Sequence, residues 1–410
     1  MVLSGTIIAI AQEKPTVYIN CATVNTRCHR DYLFQTITNC AFVWDAEHAD
    51  VQVLITEKPN STGGVRVTQE FTGMKSLAGR KDTLWFDATV GQTDEFIRTR
   101  MAETIQQGLL FQFRGTSWQH LFKVQQAKID TMASSSLPKK DKWNYWNFTP
   151  GVQGYVEGQS NSFFIEVGGT FTAQRITPKH KFIVNSKYET KHSSIDLKDE
   201  SISMSIRRYA ILPLYARSIS EHWSIGVTGQ LETNEYANIS SSYRVAQLVE
   251  YNIFPYRINA QKQLRFVYQL GVQHFIYYDS TIHNSLKETK PYHRVSIITD
   301  ITRNWGSVRN SLQYNAYLDN MDQDRITFSS LMSIRVAKGL FFFIEGQFDI
   351  VHDQISLLKN DLDDNVYILG GQQLPTKSYF WAEFGINFNF GSRFNSIVNP
   401  RMGQIDELGF

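Results

Sequence analysis

The second half of the chain is a series of long segments in which apolar and polar residues alternate, and this pattern constrains the fold more than any other feature. Twelve such segments, separated by polar turns, run from Trp143 to Ser392. Strands of about five or six residues are usual in globular sheets. Long strands, an even strand number and strict alternation are instead typical of a transmembrane β-barrel, whose sheet must close because lipid cannot satisfy unpaired backbone groups.

The last segment shows the alternation most clearly. Phe380, Phe384 and Phe388 share one face, which we expect to contact lipid, whereas Glu383 and Asn387 share the other, which we expect to face the lumen. The predicted strands cover residues 143–158, 161–176, 180–195, 200–218, 221–237, 241–255, 262–278, 290–304, 306–319, 323–337, 339–355 and 376–391.

The connections between these strands alternate in length. Short connections such as TPKHK and RNWG are predicted to be periplasmic turns, and the longer ones at about 282–291 and 357–375 to be extracellular loops. An even strand number then places both ends of the barrel in the periplasm.

Composition is compatible with this interpretation. The net charge of +2 gives no electrostatic case for nucleic-acid binding. A mean hydropathy of −0.30 is typical of a soluble protein, but it does not exclude a barrel, because only every second strand residue of a barrel faces lipid. The sequence has no run of about twenty apolar residues, which excludes a helical membrane protein. Aromatic residues make up 13% of the chain, a high share for which aromatic girdles are one explanation.

The chain begins with a short apolar stretch that ends in Ala9-Ile10-Ala11, a cleavage-site pattern. We interpret residues 1–11 as a signal peptide that is truncated at its start, because the usual basic region is missing; a buried β-strand is the alternative. The predicted organisation continues with a periplasmic α/β domain at 12–113, a linker at 114–141, an outer-membrane barrel at 142–392 and a periplasmic tail at 393–410.

Residues 14–113 carry a different pattern, predicted as β-α-β-β-β-β-α. Thr93 is expected to cap the last helix, with Asp94 and Glu95 in its first turn. We expect lone carboxylates such as Asp45 and Asp50 to cap helices or turns. This element order predicts a small α/β sandwich.

Three cysteines fall in this part of the chain. Cys21 and Cys28 are candidates for a disulfide that closes a small loop, which leaves Cys40 unpaired. Metal binding by these cysteines together with His29 is the alternative, but their spacing fits no standard zinc module. No metal or other cofactor is predicted.

Several stretches resemble a family of uncharacterised exported proteins from Bacteroidota and related bacteria. The stretches are VYINC, CHRDYLFQTI, ADVQVLIT, FTGMKSLAG and DTLWF in the first part, and KWNYWNF, YRVAQLVEYNIFPY and FGINFNFGS in the second. The resemblance implies a periplasmic α/β domain before an outer-membrane barrel, and it implies nothing about activity.

Charged residues of both signs are predicted to face the lumen. The basic ones are Arg207, Arg217, Arg244, Arg265, Arg309 and Arg335, and the acidic ones are Glu166, Glu232, Glu250, Asp300, Glu345, Asp349 and Glu383. Buried charges must pair. Either these residues form a lattice of ion pairs that stiffens the wall, or they line a channel for small solutes.

The predicted function is therefore a non-enzymatic outer-membrane barrel, a narrow channel or a scaffold. Its partners would be outer-membrane lipid and, for the first domain, a periplasmic protein. One alternative is a barrel enzyme of the phospholipase type, which needs a Ser–His pair on the lipid-facing wall; the histidine candidates are His274 and His293. Another is a surface receptor or adhesin that uses the two long loops.

Overall fold

The computed structural model contains two β-sheets, one from each half of the chain. It describes residues 14–21, 28–89, 91–122, 143–197, 201–256, 262–303, 305–337, 340–359 and 369–388. The predicted signal peptide and periplasmic tail, and most of the predicted linker, lie outside these residues.

The first sheet has five strands in the order β2-β1-β3-β4-β5. Strand β1 runs parallel to β2 and β3, whereas β3, β4 and β5 are antiparallel. The elements are β1 (Thr16–Cys21), α1 (Arg30–Thr36), β2 (Ala41–Phe42), β3 (Val51–Pro59), β4 (Val65–Gly73), β5 (Lys81–Ala88) and α2 (Asp94–Gln112). This is the predicted element order.

Helix α2 provides much of the core of this first domain. It begins after Thr93, whose side chain accepts a hydrogen bond from the Phe96 amide, as an N-cap residue does. Its apolar stripe is fully buried among the strands, with Met101, Ile105 and Leu109 each at 0% exposure. The core continues past the predicted boundary at 113, because Phe122 is also buried in it.

The cysteines of the first domain take two states. Cys21 and Cys28 are joined in a disulfide, which connects the end of β1 to the residues before α1. Cys40 is a free thiol buried in the core, and burial raises its pKa to about 12. A thiol with this pKa stays protonated, and therefore unreactive, at neutral pH.

The second sheet consists of twelve antiparallel strands, each paired with its neighbours in sequence. The strands are β6 (Trp146–Gln159), β7 (Ser162–Ile176), β8 (His180–Asp196), β9 (Ser201–Ser218), β10 (Trp223–Asn234), β11 (Ile239–Asn252), β12 (Lys262–Tyr277), β13 (Lys287–Arg303), β14 (Gly306–Tyr317), β15 (Asn320–Ala337), β16 (Leu340–Val351) and β17 (Ser378–Phe388). The predicted fold class, twelve long antiparallel strands after a small mixed α/β domain, is confirmed.

The two ends of this sheet differ. One end, here called the short-turn end, carries the connections after β7, β9, β11, β13 and β15. The other, here called the loop end, carries those after β6, β8, β10, β12, β14 and β16. The longest connection, 352–377, lies at the loop end, but 253–261 at the short-turn end is as long as 278–286 at the loop end. The predicted difference in length therefore rests on 352–377 alone.

One face of the sheet is apolar and exposed. On β12 the side chains of Phe266, Tyr268, Leu270 and Val272 are 39–48% exposed, while the intervening residues, such as Gln269, are less exposed. Within the described residues, β6 and β17 each pair with one neighbour and form the two edges of the sheet. No helix in the described part of the chain is long and apolar enough to cross a bilayer.

Candidate functional site: the polar face of the large sheet

The face opposite the apolar one carries most of the charged residues, and we call it the polar face. Residues directly opposite each other on antiparallel strands point to the same side. Register pairs such as Asp300 with Arg309 and Glu345 with Glu383 therefore define this face. Of the ten candidate pore-lining residues, nine share it: Arg244, Glu250, Arg265, Asp300, Arg309, Arg335, Glu345, Asp349 and Glu383.

The tenth candidate, Arg207, lies on the apolar face, so the prediction that it points inward is wrong. Arg207 and Arg208 are adjacent, and alternation alone does not decide which one turns inward. The register decides it, because Arg208 reaches Glu232 on the polar face at 3.3 Å. Arg217 also lies on the apolar face, opposite the exposed Ile225.

Most charged side chains on the polar face that form ion pairs do so with a side chain of opposite charge on an adjacent strand. Arg265 lies 3.5 Å from Glu250, and Arg309 lies 3.5 Å from Asp300. Glu345 and Glu383 are instead exposed like charges opposite each other. Asp349 is 3% exposed and accepts a hydrogen bond from the Gln347 side chain, 2.8 Å away.

The first domain contacts the polar face at the short-turn end. Arg335 on β15 lies 3.1 Å from Asp45, and both side chains are largely buried, at 17% and 4% exposure. Lys58 at the end of β3 donates to both oxygens of Asp300, at 3.0 and 2.9 Å. The first domain therefore lies against this end of the sheet, held by ion pairs from two of its segments.

At the loop end, the chain that follows β16 folds back over the polar face. Ile355 packs in a buried cluster with Phe275, Tyr277, Tyr292 and Tyr317 and three residues near them. Asn238, between β10 and β11, donates one hydrogen bond to the Asp279 carbonyl and another to the Ser356 carbonyl. Strands β11 and β16 are far apart in the sheet order, so these contacts show that residues 353–356 cross the polar face.

The predicted candidates for enzyme chemistry lie on the apolar face. His274 Nδ1 is 2.7 Å from Thr289 Oγ1, and the His293 ring contacts Tyr268 and Tyr314. In the described residues, neither histidine is hydrogen-bonded to a serine. A different pair meets that condition: His192 Nδ1 on β8 is 2.9 Å from Ser205 Oγ on β9. Alternation alone did not reveal it, because the two residues become neighbours only through the register of β8 and β9.

Residues missed by the sequence reasoning also lie on the polar face. Arg294 stands opposite Gln269, and Arg325 opposite Asn315, so both lie on the polar face beside Arg244. Counting parity along β13 and β15 from Asp300 and Arg335 would have found both. In the described residues, no three His, Cys, Asp or Glu side chains cluster closely enough to hold a metal ion.

Comparison with known proteins adds little to this geometry. No protein-family model matches the chain, and no curated protein matches it. Among solved structures it is similar to one described as "NanC porin structure in rhombohedral crystal form", with 10% sequence identity and a TM-score of 0.29 over 59% of this chain and 99% of the porin chain. A TM-score this low supports no argument about fold or function, and the resemblance to the Bacteroidota family stays a prediction.

Proposed function

We propose that the protein is an outer-membrane β-barrel that forms a narrow channel, with the first domain covering its periplasmic mouth. The observation that carries the proposal is the division of the large sheet into an exposed apolar face and a polar, charged face along strands of 11–18 residues. A strand of about ten residues suffices to cross a bilayer. The apolar face suits lipid and the polar face suits a lumen.

Closure of the sheet is part of this proposal. The edge strands β6 and β17 expose large apolar side chains, with Val152 at 87% and Phe384 at 72%. In a membrane, the free backbone groups of two edges would be costly. We therefore propose that β6 and β17 pair when the protein is inserted.

The docked first domain supports a covered channel. Its ion pairs with Arg335 and Asp300 lie at the short-turn end, which is also where β6 begins and β17 ends. In the proposed topology this end faces the periplasm. Two earlier predictions remain untested: that the first domain binds a periplasmic protein, and that this protein is a surface receptor or adhesin that binds through its long loops.

Single-channel conductance in planar bilayers tests the proposal. We expect the refolded mature protein to show small or rare openings, and a variant without residues 12–141 to conduct steadily, because the cover is gone. Heat-modifiable gel mobility checks that each sample contains a folded barrel. If neither folded protein conducts, the protein is not a channel, and the scaffold function remains as the prediction.

The His192–Ser205 pair favours a second candidate function, hydrolysis of a lipid ester. A serine hydroxyl hydrogen-bonded to a histidine is the minimal arrangement for nucleophilic catalysis, and both residues lie on the apolar face near the loop end. The channel is the better supported function, because within the described residues nothing orients the other nitrogen of His192.

A phospholipase assay on detergent-solubilised protein tests this candidate. If Ser205 is the nucleophile, Ser205→Ala and His192→Ala should each lower the rate at least about a hundredfold, because general base catalysis alone is worth about 10²–10⁴-fold. His274→Ala, a histidine on the same face bonded to a threonine, is the matched control and should keep the wild-type rate. Absence of activity in the wild-type protein would remove the hypothesis.

A further inference from the structure

A cavity on the polar face lies beneath the chain that crosses the loop end. It has a volume of ≈ 210 Å³ and is bounded by strands β11–β15 and by residues 353–356. Sites for drug-sized ligands have volumes of roughly 300–1,000 Å³, so the occupant of this cavity would be a smaller solute. Its charged and phenolic lining residues are Arg244, Tyr292, Arg294, Tyr317, Arg325 and Asp353.

Three donors in this lining have no hydrogen-bond partner among the residues that the structure describes. They are Nε of Arg244, Nε of Arg294 and the hydroxyl of Tyr292, and all three atoms are buried. The Tyr292 side chain is only 1% exposed, so bulk water does not satisfy its hydroxyl. An unsatisfied buried polar group destabilises the fold, and a charged one does so more strongly. Three such groups on one cavity are therefore unfavourable unless something binds there.

The charge of the lining specifies the kind of occupant. Arg325 is neutralised by Asp353, whose Oδ1 lies 2.9 Å from its Nε and 2.8 Å from its Nη2. Arg244 and Arg294 have no carboxylate partner in the described part of the chain, so the four charged lining residues sum to +2. A guanidinium only donates hydrogen bonds, and its fork matches the oxygens of a carboxylate or a phosphate.

We propose that this cavity is a binding site for a small oxyanion, in which Arg244, Arg294 and Tyr292 hold a carboxylate or phosphate group. The guanidinium carbon of Arg244 lies 5.9 Å from the centre of the Tyr292 ring, which places two of the three donors on one side of the site. The Arg325–Asp353 pair fixes the crossing segment above them. The inference rests on the cavity alone and holds whether or not the protein conducts.

Isothermal titration calorimetry on the full-length protein in detergent tests the site. The probes are succinate and inorganic phosphate, with glucose as the neutral probe. We expect saturable binding of at least one anion and no binding of glucose. Arg244→Gln and Arg294→Gln should each weaken binding at least about tenfold, because a hydrogen bond to a charged group contributes about 1.5–3 kcal/mol. Which anion binds more tightly distinguishes a carboxylate site from a phosphate site.

Two further variants keep the test decisive. Arg217→Gln removes the same charge from the apolar face and should leave the dissociation constant within twofold of wild type. Tyr292→Phe removes one oxygen without changing the ring, and should weaken binding several-fold while heat-modifiable mobility is kept. The proposal is overturned if the wild-type protein binds neither anion saturably, or if Arg217→Gln weakens binding as much as Arg244→Gln.

Discussion

Replacing Arg335 by alanine is expected to release the first domain from the short-turn end of the large sheet. The substitution removes the guanidinium that pairs with Asp45, whose side chain is 4% exposed. Removal of one partner of a buried ion pair costs up to about 3–5 kcal/mol. The cost here is below that limit, because the Glu47 amide still donates to Asp45 and His48 lies 3.7 Å from it. Undocking brings water to Asp45 and removes this penalty, so we expect undocking rather than unfolding.

Hydrogen exchange measures this effect. Amides of residues 43–48, around Asp45, should exchange much faster in Arg335→Ala, whereas those of the central strand β3 should keep their protection. Arg66→Ala is the matched control, because it also breaks an Arg–Asp pair, but an exposed one: Arg66 and Asp87 are 45% and 37% exposed. Exposed pairs contribute about 1 kcal/mol or less. If the amides of residues 43–48 exchange equally fast in Arg335→Ala and Arg66→Ala, the Arg335–Asp45 contact does not hold the first domain in place.

Undocking should also change conductance if the first domain covers a channel. The channel of Arg335→Ala is then expected to open more often than that of the wild-type protein, and its conductance should resemble that of the variant without residues 12–141 more closely. Faster exchange at residues 43–48 without a change in conductance would confirm the contact between Arg335 and Asp45. It would contradict the proposal that the first domain covers the channel.

Gly108→Val is expected to destabilise the first domain by about 3 kcal/mol, at the upper end of the usual cost of overpacking a core. A Cβ atom at this position would stand 2.1 Å from Cζ of Phe71. The Phe71 ring is 1% exposed and packs in the core of the first domain, so a shift of the ring disturbs the packing around it. Helix α2 can pack on the sheet at this distance only because residue 108 has no side chain.

Denaturant unfolding followed by tryptophan fluorescence measures the loss. Gly91→Val is the control, because a Cβ at that position meets no atom within 4 Å. The double variant Gly108→Val with Phe71→Leu should recover part of the stability, since the smaller side chain makes room. If Gly108→Val and Gly91→Val have equal effects, close packing at Gly108 is not the cause.

For some residues, the sequence predicted a local contact but not a second contact with a distant part of the chain. Asp45 is predicted to cap a turn, and its side chain does accept a hydrogen bond from the Glu47 amide. Its second contact, with Arg335, joins residues 290 positions apart in the chain, and no local pattern encodes such a pair. The same holds for the cavity, whose three unpaired donors come from two strands and are enclosed by a third segment.

Local sequence patterns were enough to predict the twelve strands, the two faces of the large sheet and the order of elements in the first domain. They were enough because a strand turns every second side chain to the same side, and because helix caps and turns depend on neighbouring residues. Three findings came only from the three-dimensional fold: Arg208 rather than Arg207 lies on the polar face, the first domain docks at the short-turn end, and Arg244 and Arg294 have no carboxylate partner among the described residues. These depend on strand register and on contacts between segments far apart in the chain, which local periodicity does not record.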